Sequence, residues 1–364
     1  MLGLQLGGFQ LALLSAVKEL GIEPAMMGLP ITAQYIAISV MPLIFGPISD
    51  RIGKKNIIVY FMILFIAGCF VTWQSGSTMH LLVGAFIIGA GASVCECSVT
   101  ASVSDVFTGE QEKYLNFVHG FFCVGAVVSP LLLQALMDNL SASWRLIFLI
   151  CAIAMAAILP AILSVRTTPA GNINQPQQKN KIENPLLVFG FAICVFLYVS
   201  IEASLTFFAD TVFTIELNYP ALGALAISLF WGAMGAGRLF FGRLKKMPRN
   251  LPVISFFLLA SAIIIIAFIR HEILILVLFT IAGFVSSSIW PGIVNAASAL
   301  NRNASGAIMS YLNLGGGLGS AVIPLAVGAI MDAANMTVSF SVLTILSVIA
   351  GIYLLKNSNV PDSK

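Results

Sequence analysis

Gly46-Pro-Ile-Ser-Asp50-Arg51-Ile-Gly53-Lys54-Lys55 is a charged decapeptide between two long apolar runs, and a degenerate copy, Gly237-Arg-Leu-Phe-Phe-Gly-Arg243-Leu-Lys245-Lys246, begins 191 residues later. A charged turn repeated at half-length in an otherwise apolar chain is the pattern of a duplicated membrane bundle, the usual frame of a secondary carrier. The pair is uneven, because Phe241 stands in the second copy where Asp50 stands in the first.

Composition points the same way. Of the 364 residues 59% are hydrophobic and only 9% charged, with a mean hydropathy of +0.99. A soluble domain carries roughly a quarter charged residues, so the surface of this chain must face lipid. A hydrocarbon core of ~30 Å takes about 20 apolar residues per helix. Twelve such runs are read: 2–17, 26–48, 56–75, 80–102, 114–137 and 144–165, then 186–209, 220–242, 251–269, 273–298, 305–330 and 337–355. Backbone groups in lipid must be satisfied within the segment, which makes these runs helices; the alternation of a barrel strand is absent from them. The expected fold is all-α and integral to the membrane, with twelve transmembrane helices in two six-helix pseudo-symmetric halves.

The expected domains are a first half at 1–165, a cytoplasmic linker at 166–185, a second half at 186–355 and a tail at 356–364. The linker is rich in Gln, Asn, Lys and Pro and has no apolar periodicity. With the turn at 46–55 placed in the cytoplasm, fifteen of the 18 Lys and Arg residues fall on that side, leaving Lys18, Arg145 and Arg270 outside. The excess of positive charge selects this orientation in a plasma (inner) membrane, with both termini cytoplasmic. The 191-residue offset would start the partner of helix seven before residue 1. By that comparison helix one is shortened by roughly two turns, at 1.5 Å per residue, either because it is a short helix or because the true N-terminus is longer.

All six cysteines lie inside predicted spans, without zinc-site or disulfide-framework spacing. Cys95-Glu96-Cys97 is read as small polar residues in a helix interface rather than a metal site. No metal and no cofactor are expected. The net charge of +3 is spread among the loops and implies no nucleic-acid partner. The loops show no nucleophile–base arrangement, so an enzyme is not expected.

In the turn itself, Gly46 and Gly53 allow close approach and tight turning. Asp50 can accept from the free N–H groups at a helix N-terminus, with the start of helix eleven near Ser305 as its partner. Arg51 can pair with Asp105 at the end of helix four. Together these residues form a cytoplasmic gate motif, in which Lys54 and Lys55 serve as basic anchors.

Ionisable groups within the spans are few, and a carboxylate that persists there usually faces a cavity. Glu96 in helix four and His119 in helix five lie at matched depth and form a possible proton-exchanging pair; static packing is the alternative for both. Glu202 in helix seven is a further acid. Polar and aromatic candidates for a solute site are Gln34, Tyr35, Asn116, Trp231, Trp290, Asn295 and Asn313. Trp290-Pro291 marks either a broken helix at that site or a tolerated kink. Gly315 to Gly317 are read as close-packing residues.

The Gly-x-x-x-Asp-Arg-x-Gly-Lys-Lys turn resembles the signature of the major facilitator superfamily. Glu96, Leu115-Asn116-Phe-Val-His119, Tyr198-Val-Ser-Ile-Glu202, Phe230-Trp231-Gly232, Ser288-Ile-Trp290-Pro291 and Gly315-Gly-Gly317 with Pro324 resemble its fucose permease-like sugar transporter branch. The resemblance covers the whole chain. It implies that Glu96 is the functional helix-four glutamate, linked to solute and proton, and that His119 replaces a glutamine. The branch's helix-one acid is not matched: Leu11 stands there beside Gln10, and Glu202 is the repeat partner of Leu11.

The function expected from these features is alternating-access transport, namely proton-coupled uptake of a sugar or similar small polar solute by a monomer embedded in the lipid bilayer. The alternatives are a major facilitator exporter of drugs or metabolites, and a non-transporting membrane sensor. The helix-five segment Gly125-Ala-Val-Val-Ser-Pro130 keeps part of an exporter signature.

Overall fold

The computed structural model describes residues 1–106, 111–165, 184–243, 248, 250–299 and 305–357. Among them the regular structure is helical: α1 (Leu2–Leu20), α2 (Leu29–Ile52), α3 (Lys54–Trp73), α4 (Thr78–Val106), α5 (Gln111–Leu140), α6 (Leu146–Ser164), α7 (Pro185–Thr211), α8 (Ala221–Gly242), α9 (Leu251–Phe268), α10 (Glu272–Ser286), α11 (Ile289–Ala299), α12 (Ser305–Ala333) and α13 (Met336–Asn357). A 3-10 turn at Pro24–Met26 precedes α2, and a π turn at Val212–Glu216 extends α7.

The run boundaries match these helices closely, with two differences. Eleven candidate spans among the described residues are long and apolar enough to cross a membrane, one of them running from α10 into α11, and α1 is not among them. Gln5, Gln10 and the closing Lys18-Glu19 pair dilute its apolar content. The run at 273–298 is also not one helix, because a turn at Ser287 and Ser288 separates α10 from α11. Large apolar side chains lie exposed along the helices, among them Phe70, Phe121, Phe189, Phe240 and Phe268, as a lipid-facing surface requires.

The chain divides into two compact units, one of Met1–Ile22 with Leu29–Gln178 and one of Glu23–Gly28 with Lys179–Lys364. In the first unit α1 packs on α5 and α6, α2 on α4 and α3, and α3 on α4 and α6. Small residues allow close crossings: a Cβ on Gly7 would stand 2.6 Å from both the Ala126 carbonyl oxygen and Ser129 Oγ of α5. Without a hydrophobic drive between helices in lipid, such close approach supplies the packing energy. Gly53 joins α2 to α3 at φ +91°, which disfavours a side chain.

Polar side chains tie the helix ends of this unit together. Arg145 Nη1 donates to Glu19 Oε1 at 2.7 Å and its Nε to the Ser75 carbonyl at 2.8 Å, while Trp144 Nε1 donates to Glu19 Oε2 at 2.7 Å. One cluster thus joins the end of α1 to the α3–α4 and α5–α6 connections. Lys55 Nζ donates to the Leu163 and Val165 carbonyls at 2.7 and 2.6 Å. A cation there answers the partial negative charge at the C-terminus of α6.

In the second unit α7 packs on α12, α13 and α8, α8 on α10, and α9 on α13, α10 and α11. The α7–α12 crossing is again set by a missing side chain, since a Cβ on Gly319 would lie 2.2 Å from the Phe196 carbonyl oxygen. Ser347 Oγ bonds the Phe256 carbonyl at 2.8 Å across the α13–α9 contact. Arg270 reaches the Ala267 and Ile269 carbonyls and Thr337 Oγ1 at 2.9–3.0 Å, tying the end of α9 to the start of α13.

Candidate functional site

Helix α7 carries a polar site within an apolar span. Ser200, Ser204 and Thr206 turn their hydroxyls back on the carbonyls four residues earlier. This bonding spares a buried helix from orphaned hydroxyls and bends it slightly. Tyr198 and Glu202 are four residues apart and so share a face. The Tyr198 hydroxyl meets Glu202 Oε2, and at 3.1 Å it also meets the carbonyl of Ser286, the last residue of α10. Tyr198 is 1% exposed and sits edge-to-face on Phe256 of α9, with ring centroids 6.4 Å apart. Glu202 is partly exposed, and Arg238 of α8 lies within electrostatic reach of it.

The interruption between α10 and α11 adjoins this pair. Its turn is tightened by Ser287 N–H to Phe284 O and Ser288 N–H to Val285 O, the three-residue spacing that often closes a helix end. The Ser288 and Ser255 hydroxyls lie 2.7 Å apart, linking the turn to α9. Ser286 Oγ is buried without a hydrogen-bond partner. Gly237 of α8 packs so closely that an added Cβ would fall 2.3 Å from Ser287 Oγ. Beyond the turn Trp290 is partly exposed, whereas Trp231 is buried edge-to-face on Phe230.

In the first unit Gln34 is buried and donates through Nε2 to Gln5 Oε1 of α1 at 3.1 Å. Gln5 Nε2 and Gln34 Oε1 are buried with no partner. Exchanging either amide's O and N leaves an unmatched group at the pair, so spare donor and acceptor capacity is a property of the site. Tyr35 is partly exposed, and Glu96 is exposed on α4. Asn295 and Asn313, named as solute contacts, are exposed on α11 and α12. Asp210 is buried near the end of α7 and accepts from Thr214 Oγ1 at 3.0 Å.

The side chains of Asp50, Arg51, Asp105, Asn116 and His119 lie outside the described residues, as does the segment before Ser305. The Asp50 and Arg51 pairings and the Glu96–His119 pair therefore fall there too. Glu202 is joined to Tyr198, which in turn meets the Ser286 carbonyl, and the sequence alone assigns neither partner a role. Their signal was present only in part: the four-residue spacing of Tyr198 and Glu202 is visible in sequence, whereas the α10 carbonyl is 88 residues away.

The fold and this site define an α-helical integral membrane protein with polar groups held inside its bundles. The chain matches the Major Facilitator Superfamily over residues 1–269 and 191–364. It belongs to that superfamily. It is similar to the multidrug resistance protein MdtL of Escherichia coli O17:K52:H18 (strain UMN026 / ExPEC), with 26% identity over 52% of this chain and 49% of the relative. It is also similar to a chloramphenicol resistance protein of Pseudomonas aeruginosa, with 24% identity over 65% of this chain and 56% of the relative. The matched parts thus span about half the length of these curated relatives.

Among solved structures, a peptide transporter (POT) in complex with sulfate superposes with a TM-score of 0.77 at 15% identity, covering 98% of this chain and 91% of that one. The human organic anion transporter MFSD10 (TETRAN) superposes with a TM-score of 0.69 at 16% identity, covering 97% and 96%. At such identities the likeness is one of fold alone.

Proposed function

We propose that the chain is a proton-coupled secondary transporter working by alternating access, with Glu202 as its coupling carboxyl. The observation that carries this reading is an acid held inside a membrane helix by a buried tyrosine. An ionised carboxylate at the bilayer centre costs about 2.5–3.5 kcal/mol even on permissive scales. Such a group is retained where taking up and releasing a proton is useful.

The two-half architecture is part of the proposal. In support of it, the main pairings α1–α5, α2–α4 and α3–α6 of the first unit have counterparts in α7–α12, α8–α10 and α9–α13 of the second. Subtracting the 191-residue offset from α8 (Ala221–Gly242) gives 30–51, against Leu29–Ile52 for α2. The turn at 46–55, with Asp50, Arg51 and Asp105, is proposed as the gate on the cytoplasmic side, and Glu96 with His119 as a second titratable pair.

For the substrate we favour export of a small drug-like or metabolic compound, because both relatives described above are named for drug resistance. Uptake of a sugar or similar polar solute is the second reading. It is favoured by the Gln5–Gln34 pair, whose spare donor and acceptor suit a hydroxyl. Everted vesicles energised by an imposed pH gradient distinguish the two. Gradient-driven accumulation of an amphenicol supports export; accumulation of hexose in right-side-out vesicles supports uptake. Ligand binding with no flux in either orientation would reject transport and leave the sensor.

A further inference from the structure

We propose that Tyr198 is a positioning residue that carries the protonation state of Glu202 to the interruption between α10 and α11. The proposal deepens the reading of Glu202 as a coupling carboxyl and rests on it. Three oxygens lie in a row: Glu202 Oε2, Tyr198 Oη and the Ser286 carbonyl. A phenol has one proton to donate, yet both of its neighbours are acceptors when Glu202 is a carboxylate. Two hydrogen bonds along this row need two protons, and the second can only be carried by the Glu202 carboxyl.

The row therefore has two states. With Glu202 protonated, its O–H donates to Tyr198 Oη and Tyr198 donates to the Ser286 carbonyl, so both bonds are made. With Glu202 ionised, the carboxylate takes the tyrosine proton, since hydrogen bonds to an ionised group are roughly twice as strong as neutral ones. The Ser286 carbonyl is then released. That carbonyl ends α10, where helix acceptors lack intrahelical partners, so its latch to α7 is lost with the proton.

The surroundings suit a switch rather than a static bond. Tyr198 is packed on Phe256, so its hydroxyl has little freedom to follow either partner. Glu202 is partly exposed on α7, whereas Tyr198 is buried. The charged group facing it from a neighbouring helix is Arg238 of α8. The α9 and α10–α11 elements present the neutral hydroxyls of Ser255 and Ser288 to each other at the same turn.

Hydrogen–deuterium exchange of the peptide covering 284–292, measured on reconstituted protein at two pH values and corrected for intrinsic exchange, tests the proposal. Wild type is expected to exchange roughly fivefold faster once Glu202 ionises, the loss of one neutral hydrogen bond. Glu202→Gln, whose amide N–H can still donate to Tyr198, is expected to remain slow at both pH values. Tyr198→Phe is expected to be fast at both, with exchange of α12 and α13 unchanged. Infrared spectra add a readout that a packing role would not move: a protonated-carboxyl band lost in Glu202→Gln and displaced in Tyr198→Phe. Exchange of 284–292 that ignores pH in wild type, or a wild-type pH response in Tyr198→Phe, would overturn the inference. A responsive turn without proton-driven flux would instead leave it standing and remove the transport reading.

Discussion

Tyr198 donates its hydroxyl toward Glu202 one helical turn further along α7 and, through the same oxygen, meets the carbonyl that ends α10. A titratable group and a helix interruption are thereby joined by one phenol within a single compact unit.

Replacing Glu202 by Gln keeps the size and the hydrogen-bond donor but removes the proton exchange. Substrate exchange at equal pH on both sides should persist, whereas gradient-driven accumulation should fall to the level of protein-free vesicles. Counterflow and gradient-driven flux measured on the same preparation separate the two.

Gly319 leaves no room for a side chain against the Phe196 carbonyl. Gly319→Leu forces α12 away from α7 and should cost at least the roughly 1–3 kcal/mol of an overpacked core. A lower midpoint in thermal unfolding of the detergent-solubilised protein is expected. Substitution at the open Gly120, where an added Cβ meets nothing within 4 Å, should leave the midpoint in place.

The Glu19 cluster gives a pH-dependent prediction. It lies beyond the apolar stretch of α1, where the Arg145 guanidinium bonded to it holds its carboxyl below the usual range, against a smaller opposing effect of burial and with help from the Trp144 N–H. The folded chain thus binds fewer protons there than the unfolded one. Its stabilising contribution is full above the unfolded carboxylate range near ~4.3 and is lost as pH falls through the folded value. Arg145→Gln should lower the unfolding midpoint at neutral pH and flatten its decline on acidification. An undiminished acid decline would contradict this role.

Lys55 should act through the α6 carbonyls rather than as a loose anchor. Lys55→Met removes two hydrogen bonds at an exposed site, so a loss of about 1 kcal/mol is expected, while Lys55→Arg should restore most of it. Unfolding midpoints of the three proteins check the order.

Much of the fold could be read from the lengths of the apolar runs, because lipid imposes one length on every crossing segment. The exceptions have physical causes. Gln5 and Gln10 make α1 less apolar than its position in the bundle requires. The interruption fell at Ser287 and Ser288, just ahead of the Trp290-Pro291 pair that signalled it, since a proline displaces the backbone of the turn before it. The site was less legible. Glu202 stood out as a rare acid, but its link to Ser286 depends on how α7 is rotated, which no local spacing states. Gln5 escaped notice for the same reason, its partner Gln34 being 29 residues away. The carbonyls that receive Lys55 are more than 100 residues distant.

The central claim is that proton movement through Glu202 drives solute movement. Its most direct test is simultaneous recording, in proteoliposomes, of internal pH and labelled amphenicol or hexose after a pH jump. The account predicts saturable solute movement accompanied by proton flux in wild type, with both fluxes uncoupled in Glu202→Gln. Solute movement indifferent to the gradient in both proteins would contradict it.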